Sequence, residues 1–224
     1  MDKNYLARFS FYRQRAFMLL ENLYKIFINN KDGRIEFIVK CISDVRPKRI
    51  LEIGSGVLPV YQFLPNDIKK ECEYSICEIN KQKVEYLLRK YSSSESFLEI
   101  KWYDAFPLPY RDGYFDFVLS KGVFHHIDDV DSKNRKEKKM DFLNEIKRVL
   151  KDGGTNLLMD FFPEKKLRDI FWHKMYRFIL FEGDYNYFSK LQTKELFDLV
   201  GYKDIKLYDL NTFKGLYYNV IAKK

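Results

Sequence analysis

The sequence predicts an α/β fold: a Rossmann-like, doubly wound, mostly parallel sheet of seven strands with helices on both faces. From residue 48 onward, short apolar runs alternate with helical stretches, which is the pattern of parallel strands joined by helices. Near the C-terminus, strand candidates 203–209 and 215–222 lie close enough along the chain to pair as an antiparallel hairpin at one sheet edge. The length of 224 residues fits one domain with a full core.

Four regions make up the predicted domain. They are a helical N-terminal extension (1–47), a cofactor-binding core (48–161), an aromatic helical insert (162–190), and a C-terminal helix with the hairpin (191–224). In the extension, apolar residues recur at three- and four-residue steps. Lys31-Asp32-Gly33 separates two predicted helices, and Pro47 ends the second.

The core contains five strand candidates, at 49–53, 73–78, 97–102, 115–120 and 155–161. The clearest helix between them is 139–150, and its apolar face consists of Phe142, Leu143, Ile146, Val149 and Leu150. Asp112-Gly113 and Asp152-Gly153-Gly154 are turn signals before the fourth and fifth strands. In the C-terminal region, Thr193 is predicted to cap a short helix that ends at Gly201.

The net charge of +8 arises from 40 basic and 32 acidic residues spread over most of the chain. A nucleic-acid-binding surface requires clustered charge, so nucleic acid is not an expected partner. The densest basic run, 133–139, is predicted to face solvent where a helix begins. The three cysteines lack metal-ligand spacing, and no signal peptide or membrane-spanning run is visible. These features predict a cytoplasmic protein with reduced thiols and no metal.

The segment 50–56 predicts a cofactor site. Its apolar residues read as a buried parallel strand, Glu52 adds a carboxylate, and Gly54 and Gly56 form a turn that lets a ligand approach the backbone. Glu78 ends the second strand, where a carboxylate can accept hydrogen bonds from a ribose diol. Asp104-Ala105 follows the third strand, where an acid can accept from an exocyclic amine. Together these groups favour an adenosine-containing ligand.

A nicotinamide dinucleotide would also carry adenosine, but its fingerprint requires a third glycine after the second. Leu58 and Pro59 occupy the two positions where that glycine occurs, and proline has no N–H for a pyrophosphate. The dinucleotide interpretation is therefore disfavoured.

Four segments in register resemble the class I S-adenosylmethionine-dependent methyltransferases. They are 50–56, Glu78, the stretch 104–120, and Arg148-Val149-Leu150-Lys151-Asp152-Gly153-Gly154. The likeness is strongest to the small-molecule group that includes ubiquinone and menaquinone biosynthesis enzymes, and it covers roughly half of the chain. The resemblance implies S-adenosylmethionine as cofactor, with transfer of its methyl group to a small organic acceptor by in-line displacement.

The resemblance also implies roles for individual residues. The methionine and ribose portion of the cofactor would be lined by Glu52, Gly54, Ser55 and Gly56. Glu78 would bind the ribose hydroxyls, Ile79 would pack on the adenine, and the adenine edge would be recognised by Asp104 and Ala105. The residues near the sulfonium would be Ser120, Lys121 and Gly122. Leu58-Pro59 departs from the small residues common in the family at these positions and can reshape the loop.

His125 and His126 follow the fourth strand, and two interpretations of the pair remain open. One histidine serves as a general base or substrate contact, or the pair only makes hydrogen bonds between loops. A metal site is not expected, since adjacent side chains point apart and no further ligands cluster nearby.

The acceptor is predicted to be a small molecule, and an aromatic or apolar one if the aromatic insert lines a pocket. Helical spacing of aromatic residues is at least as typical of core. Contact of Trp172, Phe178 and Phe181 with a membrane surface is not expected. Two alternatives stay open: an RNA or protein methyltransferase, and a non-catalytic S-adenosylmethionine-binding module. The oligomeric state and the methylated atom are not predicted.

Overall fold

A computed structural model describes residues 33–91, 97–103, 107–127, 134–161, 187–212 and 215–224. Seven strands form a single sheet. Their bounds are β1 Arg49–Ile53, β2 Glu73–Glu78, β3 Leu98–Trp102, β4 Phe115–Lys121, β5 Leu150–Phe161, β6 Lys203–Thr212 and β7 Gly215–Lys223. All seven overlap the strands expected from the sequence. The predicted N-terminal helix before residue 33, Asp104-Ala105, and most of the aromatic insert lie outside the described residues.

Five α-helices are described. They are α1 Arg34–Val45, α2 Asn66–Glu71, α3 Lys81–Tyr91, α4 Arg135–Val149 and α5 Lys190–Val200. Two short 3-10 helices follow β1 and β4, at Val60–Phe63 and Phe124–His126. The second of these is called the histidine turn below.

The strand order is β3-β2-β1-β4-β5-β7-β6. β1 to β5 run parallel, whereas β7 lies antiparallel between β5 and β6. The order reverses between β1 and β4, because β1 continues toward β2 and β3 on one side and β4 toward β5 on the other. In open sheets of this kind, ligands bind at the carboxyl ends of the strands at that reversal. The mostly parallel, doubly wound sheet predicted from the sequence is confirmed.

Two apolar layers bury the faces of the sheet. On one face, α1, α2, α3 and the first 3-10 helix contribute Ile38, Ile42, Tyr61, Ile68 and Leu87. On the other, α4 and α5 contribute Phe142, Leu143, Ile146, Val149, Leu196 and Phe197. The apolar face expected for the helix at 139–150 is thus confirmed as core.

Three details differ from the sequence-based expectation. β5 begins at Leu150, before Asp152-Gly153-Gly154, and its register against β4 shifts between Phe115 and Phe117. The turn signal therefore corresponds to an irregularity within a strand, where Gly153 has φ 75°.

Ser189, not Thr193, caps α5. The Ser189 side chain accepts a hydrogen bond from the N–H of Gln192, whose side chain accepts from the N–H of Ser189 in return. Thr193 is buried instead and lies 2.9 Å from the Tyr218 hydroxyl. Gly201 ends the helix as predicted, with φ 79°.

The basic run at 133–139 does not face solvent throughout. Lys139 is completely buried on α4, because its side chain points into the space between that helix and the histidine turn. The amphipathic period of the helix places position 139 on the same face as Phe142 and Ile146, and this outweighs its charge.

Candidate cofactor and active site

The turn after β1 contains two glycines, Gly54 and Gly56, and glycine is needed at each for a different reason. Both have left-handed dihedrals, with φ 68° at Gly54 and 65° at Gly56. A Cβ atom on Gly54 would lie 2.4 Å from Cγ2 of Val123, so this glycine lets the ends of β1 and β4 meet. A Cβ atom on Gly56 would meet nothing within 4 Å. The second glycine therefore leaves its backbone open to a ligand.

Glu52 lies beneath this turn. Its side chain is completely buried and accepts hydrogen bonds from the Val60 N–H at 3.0 Å and from the Tyr74 hydroxyl at 2.8 Å. Burial raises the pKa of the Glu52 carboxyl, and the charge of Lys121 acts in the opposite direction. These contacts fix the start of the 3-10 helix that Pro59 introduces, so Glu52 supports the shape of the loop.

The carboxylate of Glu78 closes the same turn from β2. It accepts hydrogen bonds from the Gly56 N–H at 2.9 Å and from the Asn80 N–H at 3.0 Å. A carboxylate offers about four lone-pair positions, so acceptor capacity remains for two hydroxyls of a ligand. Glu78 therefore fixes the turn and can also bind a ribose diol.

Ile79 lies next to this carboxylate and exposes 64% of its surface, which suits the packing of a planar ring. Trp102, at the end of β3, donates from Nε1 to the Ile79 carbonyl at 2.8 Å. Its indole fixes the Ile79 backbone at the rim. Trp102 was not among the residues predicted from the sequence, since an aromatic residue at a strand end is not distinctive by itself.

Asp104 and Ala105 lie outside the described residues, but the chain that follows them is firmly anchored. Arg148 of α4 donates to the carbonyls of Leu108 and Tyr110, at 3.1 and 2.9 Å. It also pairs with Glu145 at 2.7 Å, and this pairing lowers the pKa of Glu145. The predicted adenine-recognition segment thus precedes a loop that is fixed to α4.

The end of β4 supplies three residues of the predicted site. Ser120 exposes 1% of its surface, and its Oγ has no hydrogen-bond partner. Lys121 donates to the Leu58 carbonyl at 3.5 Å, across the gap to the first loop. Gly122 has φ 65°, and its N–H donates to the Met159 carbonyl at 2.8 Å. On the β1 side, Ser55 is buried and its hydroxyl donates to the Gly56 carbonyl at 3.1 Å.

On the histidine turn, His125 contacts a buried carboxylate that the sequence did not indicate. Nδ1 of His125 lies 2.5 Å from Oδ1 of Asp160, and the His125 N–H donates to Oδ2 at 2.8 Å. Asp160 lies near the end of β5, and its side chain is 2% exposed. In the tautomer that donates from Nδ1 to the carboxylate, Nε2 is the ring nitrogen that carries the lone pair.

The structure brings the two histidines into contact but gives them different surroundings. Their rings lie 4.0 Å apart, and the His125 ring also lies 5.4 Å from that of Tyr187. His126 is exposed at the surface. Desolvation by neighbouring protein atoms nevertheless lowers the pKa of His126, and the charge of His125 lowers it further. Asp160 interacts directly with His125, so the two histidines are chemically unequal.

Asp160 was not predicted from the sequence as a site residue, although it is a single acidic residue at the end of an apolar strand. Leu157, Leu158 and Met159 are completely buried, so an aspartate directly after them is costly unless it has partners. A carboxylate at the carboxyl end of the strand next to the histidine turn was therefore a recognisable candidate.

The residues present fit S-adenosylmethionine better than a dinucleotide. Glu78 has free acceptor positions for a ribose, Gly56 is open, and the buried Ser120 hydroxyl lacks a partner. A pyrophosphate would need free N–H groups at a helix N-terminus. Here the Gly56 N–H is already bonded to a carboxylate, whose charge would repel phosphate.

Within the described parts of the chain, no three His, Cys, Asp or Glu side chains are grouped so that they could bind a metal ion. In the same residues, no helix has the length and apolar character needed to cross a membrane.

Comparisons with known proteins point to one class. Residues 51–158 match a family model described as a methyltransferase domain. A protein of Encephalitozoon cuniculi named as a candidate methyltransferase is 46% identical over 55 residues, which are 25% of this chain and 23% of that protein. The chain therefore matches about a quarter of that relative's length.

Solved structures share the fold. A protein of Thermotoga maritima, titled a SAM-dependent methyltransferase and possible histamine N-methyltransferase, aligns with a TM-score of 0.64 at 16% identity. That alignment covers 95% of this chain and 99% of the other. A SAM-dependent methyltransferase from Aquifex aeolicus aligns with a TM-score of 0.59 at 16% identity, covering 88% of this chain and 96% of the other. Residues 51–158 thus resemble a methyltransferase domain, and the described sheet has the fold of S-adenosylmethionine-dependent methyltransferases of known structure.

Proposed function

We propose that this protein transfers the methyl group of S-adenosylmethionine to a small organic acceptor and that His125 removes the acceptor's proton. The bound cofactor supplies an electrophilic methyl carbon on a sulfonium. The observation that carries the proposal is the His125–Asp160 pair: His125 follows Val123 by two residues, and the Val123 side chain lies against Gly54 of the turn after β1. This position supports His125 as the proposed base.

The protein's own residues perform three tasks in this mechanism. Glu78, Ile79 and the glycine turn bind and orient the cofactor, together with Asp104 and Ala105 as proposed adenine contacts. Glu52 fixes the loop from below, and Ser55, Ser120, Lys121 and Gly122 surround the methionine end. Asp160 orients the His125 imidazole so that Nε2 accepts the proton. Alignment of the acceptor with the methyl contributes up to about 7–11 kcal/mol in the best model reactions.

Aromatic rings support an aromatic or apolar acceptor. Phe161, at the end of β5, lies 5.6 Å from the Tyr187 ring and 5.2 Å from the Tyr217 ring. Tyr187 in turn lies 5.4 Å from His125. These rings form a wall beside the proposed base, on which a planar acceptor can pack. Phenols and quinone precursors are therefore the first acceptors to test, as the resemblance to ubiquinone and menaquinone enzymes also suggests.

Free thiols support a cytoplasmic location. Cys41, Cys72 and Cys77 are all unpaired, and burial raises the pKa of both Cys72 and Cys77 to about 11. Such thiols are inert, as is typical of structural cysteines in a reducing compartment.

Two measurements test the proposed function. Isothermal titration with S-adenosylmethionine, and with NAD as the control ligand, should show binding of the first alone. Formation of S-adenosylhomocysteine is then followed across phenols, quinone precursors, amines, RNA and peptides. Turnover with a small acceptor supports the proposal. Failure to bind S-adenosylmethionine overturns it. Turnover with RNA or peptides alone would contradict the proposed small acceptor and identify a polymer as the substrate.

The proposed base has its own comparison. His125→Gln should lower kcat by about 10²- to 10⁴-fold, the usual contribution of a general base. His126→Gln should have a much smaller effect, because the contacts with both carboxylate oxygens of Asp160 described above are made by His125. Equal losses in both variants would contradict the assignment of His125 as the base.

A further inference from the structure

Lys139 is the only lysine of α4 that is completely buried, and the proposed mechanism does not use it. Removing an ammonium group from water costs several kcal/mol unless strong partners replace the solvent. Its position therefore requires an explanation from its contacts.

The described contacts of Lys139 are with Phe124 of the histidine turn, with Ile127 directly after it, and with Phe188 before α5. Nζ of Lys139 donates to the Phe124 carbonyl, and a second carbonyl, that of Ile127, lies 3.4 Å away. The ammonium also lies over the rings of Phe124 and Phe188, at 4.6 and 5.1 Å from their centroids. A cation in contact with carbonyl oxygens and aromatic faces retains much of the stabilisation that water would give.

One peptide group connects Lys139 to Asp160. The Phe124 carbonyl and the His125 N–H belong to the same planar peptide unit. Lys139 donates to its oxygen, and Asp160 accepts from its nitrogen at 2.8 Å. A buried cation and a buried anion thus bind the opposite ends of one peptide plane, and charge-assisted bonds are stronger than neutral ones. This fixes the orientation of the peptide from which the His125 side chain extends.

We infer that Lys139 is a positioning residue for His125. It orients the peptide plane between Phe124 and His125 so that Nδ1 reaches Asp160 and Nε2 is directed toward the acceptor. The inference rests on the proposed role of His125 for its catalytic meaning, but the positioning itself is a property of the free protein. It can therefore be tested without an acceptor.

Other ionisable groups also face this region. Besides Asp160, they are His126 on the same turn, Lys83 on α3, whose charge acts on His126, and Tyr218 on β7, whose pKa is raised by burial and then by Asp160. A test must therefore measure the protonation of the His125 ring nitrogens directly, because a pH optimum alone would report several groups.

The ring nitrogens of histidine report their tautomer and hydrogen bonding in long-range proton–nitrogen NMR spectra. The chain has three histidines, so His125→Gln assigns the signal of His125 by its disappearance. In the unaltered protein the spectrum should show the tautomer with the proton on Nδ1. Lys139→Met keeps the length and apolar stem of the side chain but removes the donor, and it should shift His125 toward a mixture of tautomers. Asp160→Asn should cause a similar change.

Lys136→Met is the matched control, because Lys136 lies on the same helix and forms an exposed pair with Glu195 at 3.1 Å. It should leave the His125 signals unchanged. If Lys139→Met does not fold, Lys139→Gln retains an N–H donor without the charge and should give an intermediate spectrum. An unaltered His125 tautomer in the folded Lys139 variant overturns the inference.

Kinetics give a second readout once an acceptor is known. Lys139→Met should lower kcat by about tenfold or more while the KM for S-adenosylmethionine changes less than twofold, because the Lys139 hydrogen bonds described above go to carbonyls that follow β4 and not to the turn after β1. A tautomer change with no active acceptor would leave the positioning role established and the proposed reaction refuted. An equal rise in the cofactor KM would instead indicate a general loss of structure and contradict the positioning role.

Discussion

The Glu78 carboxylate accepts a hydrogen bond from the Gly56 N–H at 2.9 Å, which ties the end of β2 to the turn after β1. The same group is the proposed partner of the ribose. Its two tasks can be separated, because one concerns the stability of the free protein and the other the affinity for the cofactor.

Glu78→Ala should weaken binding of S-adenosylmethionine by more than tenfold, which corresponds to about 1.4 kcal/mol. Glu78→Gln should have an intermediate effect because its amide oxygen can still accept one hydrogen bond. Isothermal titration gives the affinities, and thermal melting reports whether the turn has loosened. Glu85→Gln, an exposed carboxylate on α3, is the control. Unchanged affinity in both Glu78 variants would exclude the ribose contact.

Gly54→Ala should destabilise the free protein more than Gly113→Ala does. Both substitutions place a side chain at positive φ, at a cost of about 1–2 kcal/mol. Only Gly54 adds a collision, with a Cβ 2.4 Å from Val123, whereas Gly113 faces open space. Overpacking of this kind costs about 1–3 kcal/mol more. Urea denaturation measures the difference, and Val123→Ala should recover much of it. Equal midpoints for the two glycine variants would contradict the close contact.

Gly56→Ala should affect cofactor binding more than the stability of the free protein. Its stability loss in the free protein should match that of Gly113→Ala, because neither Cβ atom meets a neighbour. Its affinity for S-adenosylmethionine should nevertheless fall by about tenfold or more, since the new methyl group enters the space proposed for the ligand. Comparison of urea midpoints with titration data separates the two effects. Full affinity in the Gly56 variant would show that the ligand does not approach this backbone.

Glu52 should make stability depend on pH. Burial raises the pKa of Glu52 above its ordinary value of 4.5. Between that value and the folded-state pKa, the folded state therefore binds more protons than the unfolded chain. Its contribution to the free energy of unfolding is therefore greatest below about pH 4.5 and falls as the pH rises through the folded-state pKa.

Glu52→Gln removes this titration while preserving the size of the side chain. The stability of the unaltered protein relative to this variant should decrease as the pH rises above about 4.5, as measured by urea denaturation at several pH values. Glu85→Gln serves as the exposed control and should show little change across the same range. A relative stability that rises with pH would mean that the folded state stabilises the ionised carboxylate.

The sequence by itself determined the strands and their mostly parallel arrangement, and it predicted the class of cofactor. Ile50 to Ile53 and Phe115 to Leu119 are apolar runs that have to be buried, and their alternation with amphipathic helices leaves few arrangements. Gly54, Gly56 and Glu78 are local signals at strand ends, so their placement follows once the strands are assigned. The boundary at Leu150 was less predictable, because Gly153 and Gly154 resemble a turn but lie in an irregular strand.

Only the tertiary structure decided which charged groups are buried and which residues meet. His125 and Asp160 are 35 residues apart, and their contact depends on β4 and β5 being neighbours in the sheet. Lys139 lies within a run of charges that suggests solvent, and its burial depends on α4 packing against the histidine turn. Periodicity and glycine turns are local properties, whereas the partners of a charge are set by which elements pack together.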